Sequence, residues 1–289
     1  MFGTFITIAT FVLSGPRMRL IQTILKISRL PSQMYRKQSM LIHAKDIFGF
    51  FFLVVQSFVF YNQTQLSTLI RMNSLYMVLL VFQMDMLYIN CVCVLKACFI
   101  KINDDLFNLL INDESHVVKW ITREQRNSLL LMELKTLQKQ HLMVSDTVQK
   151  LSIIFSPQLL ASIASNFIYI TYEIYFNMVQ WQDGLLYIRW TNEIYRFYII
   201  PYIVYLLIKL ALIAWACETG KNQATKIRTT VHDVLNSTDD MQIKYELQLF
   251  SLQIMHHNNT FSAKGLTLGA TLIKAVSVYH SCNHLMPSN

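Results

Sequence analysis

Two carboxylates stand where carboxylates are costly. Asp85 lies in VFQMDMLY and Glu173 in ITYEIYF, both within long apolar runs. A charge in the middle of a bilayer costs about 3 kcal/mol on insertion scales, so such a group is expected to face a cavity or a partner. Trp181, Tyr187 and Trp190 follow just past the second run. Aromatic faces beside carboxylates and amides suit a small polyhydroxylated ligand, with rings against its C–H faces and polar groups on its hydroxyls. Asp85, Glu173, Trp181, Tyr187 and Trp190 are therefore candidate ligand contacts. The aromatics also fit an interfacial belt, and Asp85 also fits a hydrogen bond between helices. Lys209, in YLLIKLAL, reads as a cation that snorkels or faces a cavity.

Other chemistry leaves no mark. The chain has no Gly-rich phosphate loop, no H-E-x-x-H and no G-x-S-x-G, so no enzymatic activity is expected. His256-His257 and the i, i+4 pair His280/His284 do not make a metal site, and no metal or cofactor is expected. There are five Cys, of which Cys91, Cys93 and Cys98 share one apolar run. That pattern argues for buried thiols rather than a disulfide framework or zinc site.

These residues must be positioned by membrane helices. The 289 residues are 53% hydrophobic and only 15% charged, against about 25% charge in a soluble chain. Spanning a core of roughly 30 Å takes about 20 apolar residues. The runs 46–61, 74–100, 151–179 and 197–217 qualify, the first of them only if Leu41–Ala44 joins it. A fifth piece, FGTFITIATFVLSG from Phe2 to Gly15, is short. It has no basic residue before it, unlike a signal peptide, and reads as the far part of a span running into a basic helix.

Lys and Arg alternate between the spans. Segments 16–45 and 101–150 hold seven each and 218–258 holds four, while 62–73 holds one and 180–196 two. By the positive-inside rule the richer segments are cytoplasmic. The net charge of +8 then reflects topology and anionic lipid, with no nucleic-acid partner implied. Asn62-Gln63-Thr64, a glycosylation sequon, falls on the expected outer side, and a second at Asn236 falls inside.

The cytoplasmic segments are expected to be helical. Leu129, Met132, Leu137, Leu142, Val148 and Leu151 recur at a roughly helical period leading into the third span. Ile227, Val231, Val234 and Leu235 share a face after the fourth. Asn236-Ser237-Thr238 is expected to break the chain and cap a further helix. In that helix Tyr245, Leu249, Leu252 and Met255 or His256 form a stripe. Such extensions need something to pack on, either one another or neighbouring subunits. The fold expected is all-α, a polytopic membrane helical bundle whose spans extend into a cytoplasmic helical anchor.

The stretch ELQLFSLQIMHHNNTFSAKGLTLGATLIKAVSVY resembles the insect gustatory receptors. Glu246, Leu247, Phe250, Ser251, Gln253 and His256 match that family's helix pattern. Phe261, Ala263, Gly265, Leu266 and Leu268 match the approach to its last helix, and Ala275, Val276 and Tyr279 match that helix's opening. The wording of Phe250–Gln253 is similar to the sugar-sensing, fructose-type branch. The pattern departs where an aromatic between Leu266 and Thr267 is missing and where Gly269 replaces Asp or Asn. After Tyr279, HSCNHLMPSN replaces five apolar residues and Gln-Phe.

By this resemblance residues 1–289 are a single, incomplete seven-transmembrane chemoreceptor domain. Its first helix is missing, its second is cut and its last is aberrant, so the chain expressed as written is expected to pass no ligand-gated current. The resemblance implies a tetrameric, ligand-gated, non-selective cation channel that detects tastants, sugars such as fructose among them. It implies related subunits as partners and the plasma membrane of gustatory neuron dendrites as location. The rival readings are a non-conducting product, a transporter, or a receptor of the G-protein-coupled class. No internal repeat or paired broken helices favour a transporter.

Overall fold

Long apolar runs with little Gly or Pro have nothing to stop them, and they fold as helices that outlast a bilayer. The computed structural model describes residues 7–8, 10–28, 32–63, 67–114, 123–182, 195–257, 259, 261–263 and 266–267. Helices α1 (Ser14–Ile27), α2 (Ser32–Gln63), α3 (Thr68–Glu114), α4 (Arg123–Gln182), α5 (Ile200–Ser237) and α6 (Met241–His256) make an all-α bundle. A π-helical turn, Tyr195–Ile199, leads into α5. Two-residue strands β1 (Ser262–Ala263) and β2 (Leu266–Thr267) pair antiparallel after α6.

Among the described residues four segments are long and apolar enough to cross a membrane: Ile42–Tyr61, Thr68–Leu109, Asn127–Phe176 and Phe197–Ser237. They coincide with the four expected runs, and the first is completed from Ile42. The fold is a polytopic helical bundle. The 60 residues of α4 extend about 90 Å, three times the hydrocarbon core. Pro157 lies inside α4 without ending it.

Helix α3 is the centre. It packs against α5, α4, α2 and α1, and Tyr88, Val92, Leu95 and Phe99 are fully enclosed. A helix apolar on most faces takes that place because every face it turns finds a partner. Cys91, Cys93, Cys98 and Cys217 are buried thiols in the same core. Helix α1 lies on α4 and α3 and buries Arg17, whose Nη2 donates to Gln158 Oε1 at 2.6 Å. The guanidinium also lies over the Phe155 ring, 5.1 Å from its centroid.

Beyond the spans the helical period is met in part. Ile227, Val231 and Val234 are buried, as are Leu137, Val148 and Leu151, whereas Leu129 and Met132 are exposed. One expectation about α6 needs correction. The cap is not Asn236-Ser237-Thr238, because the hydroxyls of Ser237 and Thr238 turn back to the Val234 carbonyl and close α5. Asp240 caps α6 instead, accepting from the amides of Gln242 at 2.8 Å and Ile243 at 3.2 Å. The stripe Tyr245, Leu249, Leu252 and Met255, expected to pack on the chain's own helices or on neighbouring subunits, is turned away from the bundle, with Tyr245 61% and Leu252 62% exposed. The opposite stripe, Leu247, Phe250 and Ile254, is buried against α4 and α5.

Candidate functional site

Three spans meet at a buried polar cluster. Asp85 on α3 is 0% exposed and Lys209 on α5 is 4% exposed. Their Oδ2 and Nζ lie 3.0 Å apart. Ser162 on α4 donates to the same Oδ2 at 2.7 Å and accepts from Lys209 at 3.4 Å. Two opposite charges at this distance cancel each other's field, which makes both tolerable away from water. Lys209 therefore does not snorkel to an interface; its ammonium is held by the carboxylate of a neighbouring helix.

Lys209 and Ser162 of this cluster line one end of a cavity of about 200 Å3 between α3, α4 and α5, with Asp85 behind them. Val78, Val81 and Phe82 line it from α3, Ser165 and Asn166 from α4, and Tyr202, Tyr205 and Leu206 from α5. Asn166 is 6% exposed, and its Nδ2 has no partner among the described residues. A buried amide donor left unpaired costs about 1–3 kcal/mol, and a bound acceptor or a water would relieve it. The walls above the ion pair are mostly apolar and aromatic, with few polar groups converging. That is the usual make-up of a small-molecule site.

One backbone detail shapes the wall. Helix α2 approaches α3 at Gly49, where an added Cβ would stand 2.6 Å from the Phe82 ring. A side chain there would push Phe82 towards the cavity. Outward along α5 the tyrosines continue as a stack. Tyr202 and Tyr205 rings are 6.1 Å apart, Tyr198 and Tyr202 5.7 Å, and Phe60 on α2 meets Tyr198 at 4.6 Å. A smaller void of about 40 Å3 lies beside Gln56 and Tyr198, and Gln56 Oε1 is buried without a partner.

Of the five candidate ligand contacts, Asp85 stands at this cluster, paired with Lys209. Glu173 is buried on α4, seven residues and hence about two turns beyond Asn166. Trp181 lies in the last turn of α4 with its side chain outside the described residues, and Tyr187 and Trp190 are also outside them. The same holds for the Asn62 side chain in the last turn of α2 and for Gly265 and Tyr279. Sequence reasoning missed Phe82, Ser162, Asn166, Tyr202 and Tyr205. A signal existed for α5: Tyr198, Tyr202, Tyr205 and Lys209 recur at i, i+4, i+7 and i+11, which is one helical face.

The remaining motif residues form a second, structural site away from the spans. Phe250 is fully buried and meets the His141 ring edge-on at 5.4 Å. Gln253 Nε2 donates to the Gln138 carbonyl at 3.0 Å and to His141 Nδ1 at 3.3 Å. That contact makes Nδ1 an acceptor and puts the imidazole proton on Nε2. Glu246 pairs with Lys135 at 3.2 Å, and His256 packs on His257 at the end of α6. Phe261 is buried over Gly220 of α5, where an added Cβ would stand 2.7 Å from its ring. The motif thus seams α6 and the following strand onto α4 and α5.

A family model described as 7tm Chemosensory receptor matches residues 2–267, from the approach to α1 through β2. Over 151 residues the chain is 26% identical to gustatory receptor 28a of Drosophila melanogaster, a match covering 52% of this chain and 33% of that protein. The chain therefore spans about a third of the length of that curated relative. A family of membrane receptors, not of enzymes, agrees with four apolar spanning helices and a buried polar cluster among them. The chain belongs to the 7tm chemosensory receptor family.

Proposed function

We propose that this chain is a subunit of a ligand-gated, non-selective cation channel that responds to small uncharged tastants of sugar-like chemistry, fructose among them. It works in the plasma membrane as a tetramer with copies of itself or related subunits. The observation that carries the reading is the cavity of about 200 Å3 beside the buried Asn166 amide, whose Nδ2 has no partner among the described residues. At about 30 Å3 per water this is the room of six or seven waters, enough for one small compact molecule. The Asp85–Lys209 pair cancels its own charge, so the floor selects for uncharged ligands. Asn166, Ser165 and the tyrosine hydroxyls bind hydroxyl groups, and Phe82 and Tyr202 take C–H faces. Glu173 lies about two turns further along α4, towards the expected outer side.

The exposed α6 stripe supports the tetramer. Met241, Tyr245, Leu252 and Met255 are each more than half exposed on a helix outside the spans, where apolar side chains face water unless another subunit covers them.

The test is a panel of hexoses, polyols and their uronic acids, applied to the purified chain in nanodiscs and to cells co-expressing it with related subunits. Tryptophan fluorescence reads binding and calcium influx reads gating. A neutral hexose or polyol should bind, its uronic acid should not, and Asn166→Leu should weaken binding about tenfold. Equal binding of neutral and acidic members, or indifference to Asn166→Leu, overturns the assignment.

A further inference from the structure

A second hollow, unconnected with the ligand cavity, opens between α1, α3 and α4. It has a volume of about 320 Å3 and is lined by Lys26 of α1, Cys98 and Lys101 of α3, and Gln140, Met143 and Val144 of α4. Two cations and an amide converge from three helices, and among the described residues no carboxylate lines the groove. Asp105, one turn after Lys101, lies outside the groove walls but attracts that lysine, so two cations stand against one carboxylate here.

Its depth is fixed by an aromatic marker. Lys96 Nζ sits 5.0 Å from the centre of the Trp215 ring, and Trp215 is 44% exposed on the outside of the bundle. Tryptophans of this kind, with a lysine reaching outward beside them, mark the edge of the hydrocarbon. Lys101 lies five residues further along α3, about 7.5 Å deeper on the side the Lys and Arg count makes cytoplasmic. Each headgroup layer is roughly 5–8 Å thick. The lysines therefore stand at the level of lipid phosphates, with Met143 and Val144 offering apolar surface beside them. Basic hollows between spanning helices on the cytoplasmic side are where phospholipid headgroups bind.

We infer that this groove holds the phosphate of an anionic inner-leaflet phospholipid, clamped by Lys26, Lys101 and Gln140 and tying α1 to the α3–α4 pair. Free phosphate shares the charge but lacks the glycerol and chains that the apolar wall receives.

The 289-residue chain, purified in mild detergent, is titrated with dioctanoyl phosphatidylinositol bisphosphate, dioctanoyl phosphatidylserine, dioctanoyl phosphatidylcholine and inorganic phosphate, and its melting temperature is read. The two anionic lipids should raise it; phosphatidylcholine and inorganic phosphate should not. Lys26→Gln/Lys101→Gln should weaken the apparent affinity roughly 25-fold, about fivefold per lysine. Lys221→Gln/Lys226→Gln removes the same charge elsewhere and should leave it unchanged. Met143→Trp keeps both lysines but fills the groove, and should block the lipid without altering the lipid-free melting temperature by more than a degree or two. Equal shifts with phosphatidylcholine or inorganic phosphate, equal losses in the two lysine double variants, or full binding by Met143→Trp would each overturn the proposal.

Discussion

Removing one member of the Asp85–Lys209 pair should hurt far more than removing both. At 3.0 Å and an effective dielectric of about 20, the two charges attract by roughly 5–6 kcal/mol. Much of that is offset by the cost of taking each from water, so the pair as a whole contributes little. Either single variant keeps the cost and loses the attraction. Asp85→Leu strands Lys209 at 4% exposure and leaves Ser162 Oγ without its acceptor. Lys209→Met strands Asp85, whose Oδ1 already has no protein partner. Each single change should cost about 3–5 kcal/mol, while the double variant should fall within about 2 kcal/mol of wild type. Unfolding of the four proteins in mixed micelles, followed by tryptophan fluorescence, gives the coupling energy directly. A coupling below about 1 kcal/mol would mean that the charges do not depend on one another, and the neutral floor of the cavity would lose its basis.

The other expectations follow from single contacts. Gly49→Ala should force the Phe82 ring aside and lower affinity for any cavity ligand at least several-fold, with fold stability measured in parallel; unchanged binding would free Phe82 from the wall. Gly220→Val should displace Phe261 from its seat and cost about as much as Phe261→Ala, roughly 3–5 kcal/mol in unfolding experiments. A glycan mapped to Asn62 agrees with the Lys and Arg orientation, whereas one at Asn236 reverses it.

The spans were legible because length and hydropathy are properties of a segment by itself. So was the buried face of the part of α5 beyond the fourth span, where Ile227, Val231 and Val234 keep one period. Asp85 was legible as a residue in need of a partner, but the partner was not, since pairing across helices leaves no local trace. The tyrosine face of α5 was written at helical spacing, yet a tyrosine in a span reads equally as an interfacial anchor. For α6 the sequence carries two apolar stripes, and only docking on α4 and α5 decides which turns inward. The cap was ambiguous for a similar reason. Asn236, Ser237, Thr238, Asp239 and Asp240 are all capable of it, and backbone geometry assigns the role to Asp240.

The uninterrupted length of α4 has a mechanical consequence. From Asn166 at the cavity to Arg123 the helix runs about 65 Å, with Pro157 near its upper part and α6 fastened at Gln138 and His141. A rigid rod of that length turns small angles into large excursions: a tilt of about 3° at the cavity moves the far end by more than 3 Å. Proline offers a natural fulcrum. A ligand that changes the spacing between α3, α4 and α5 by a fraction of a bond length would thereby swing the α6 seam through a distance comparable to a side-chain rotamer change.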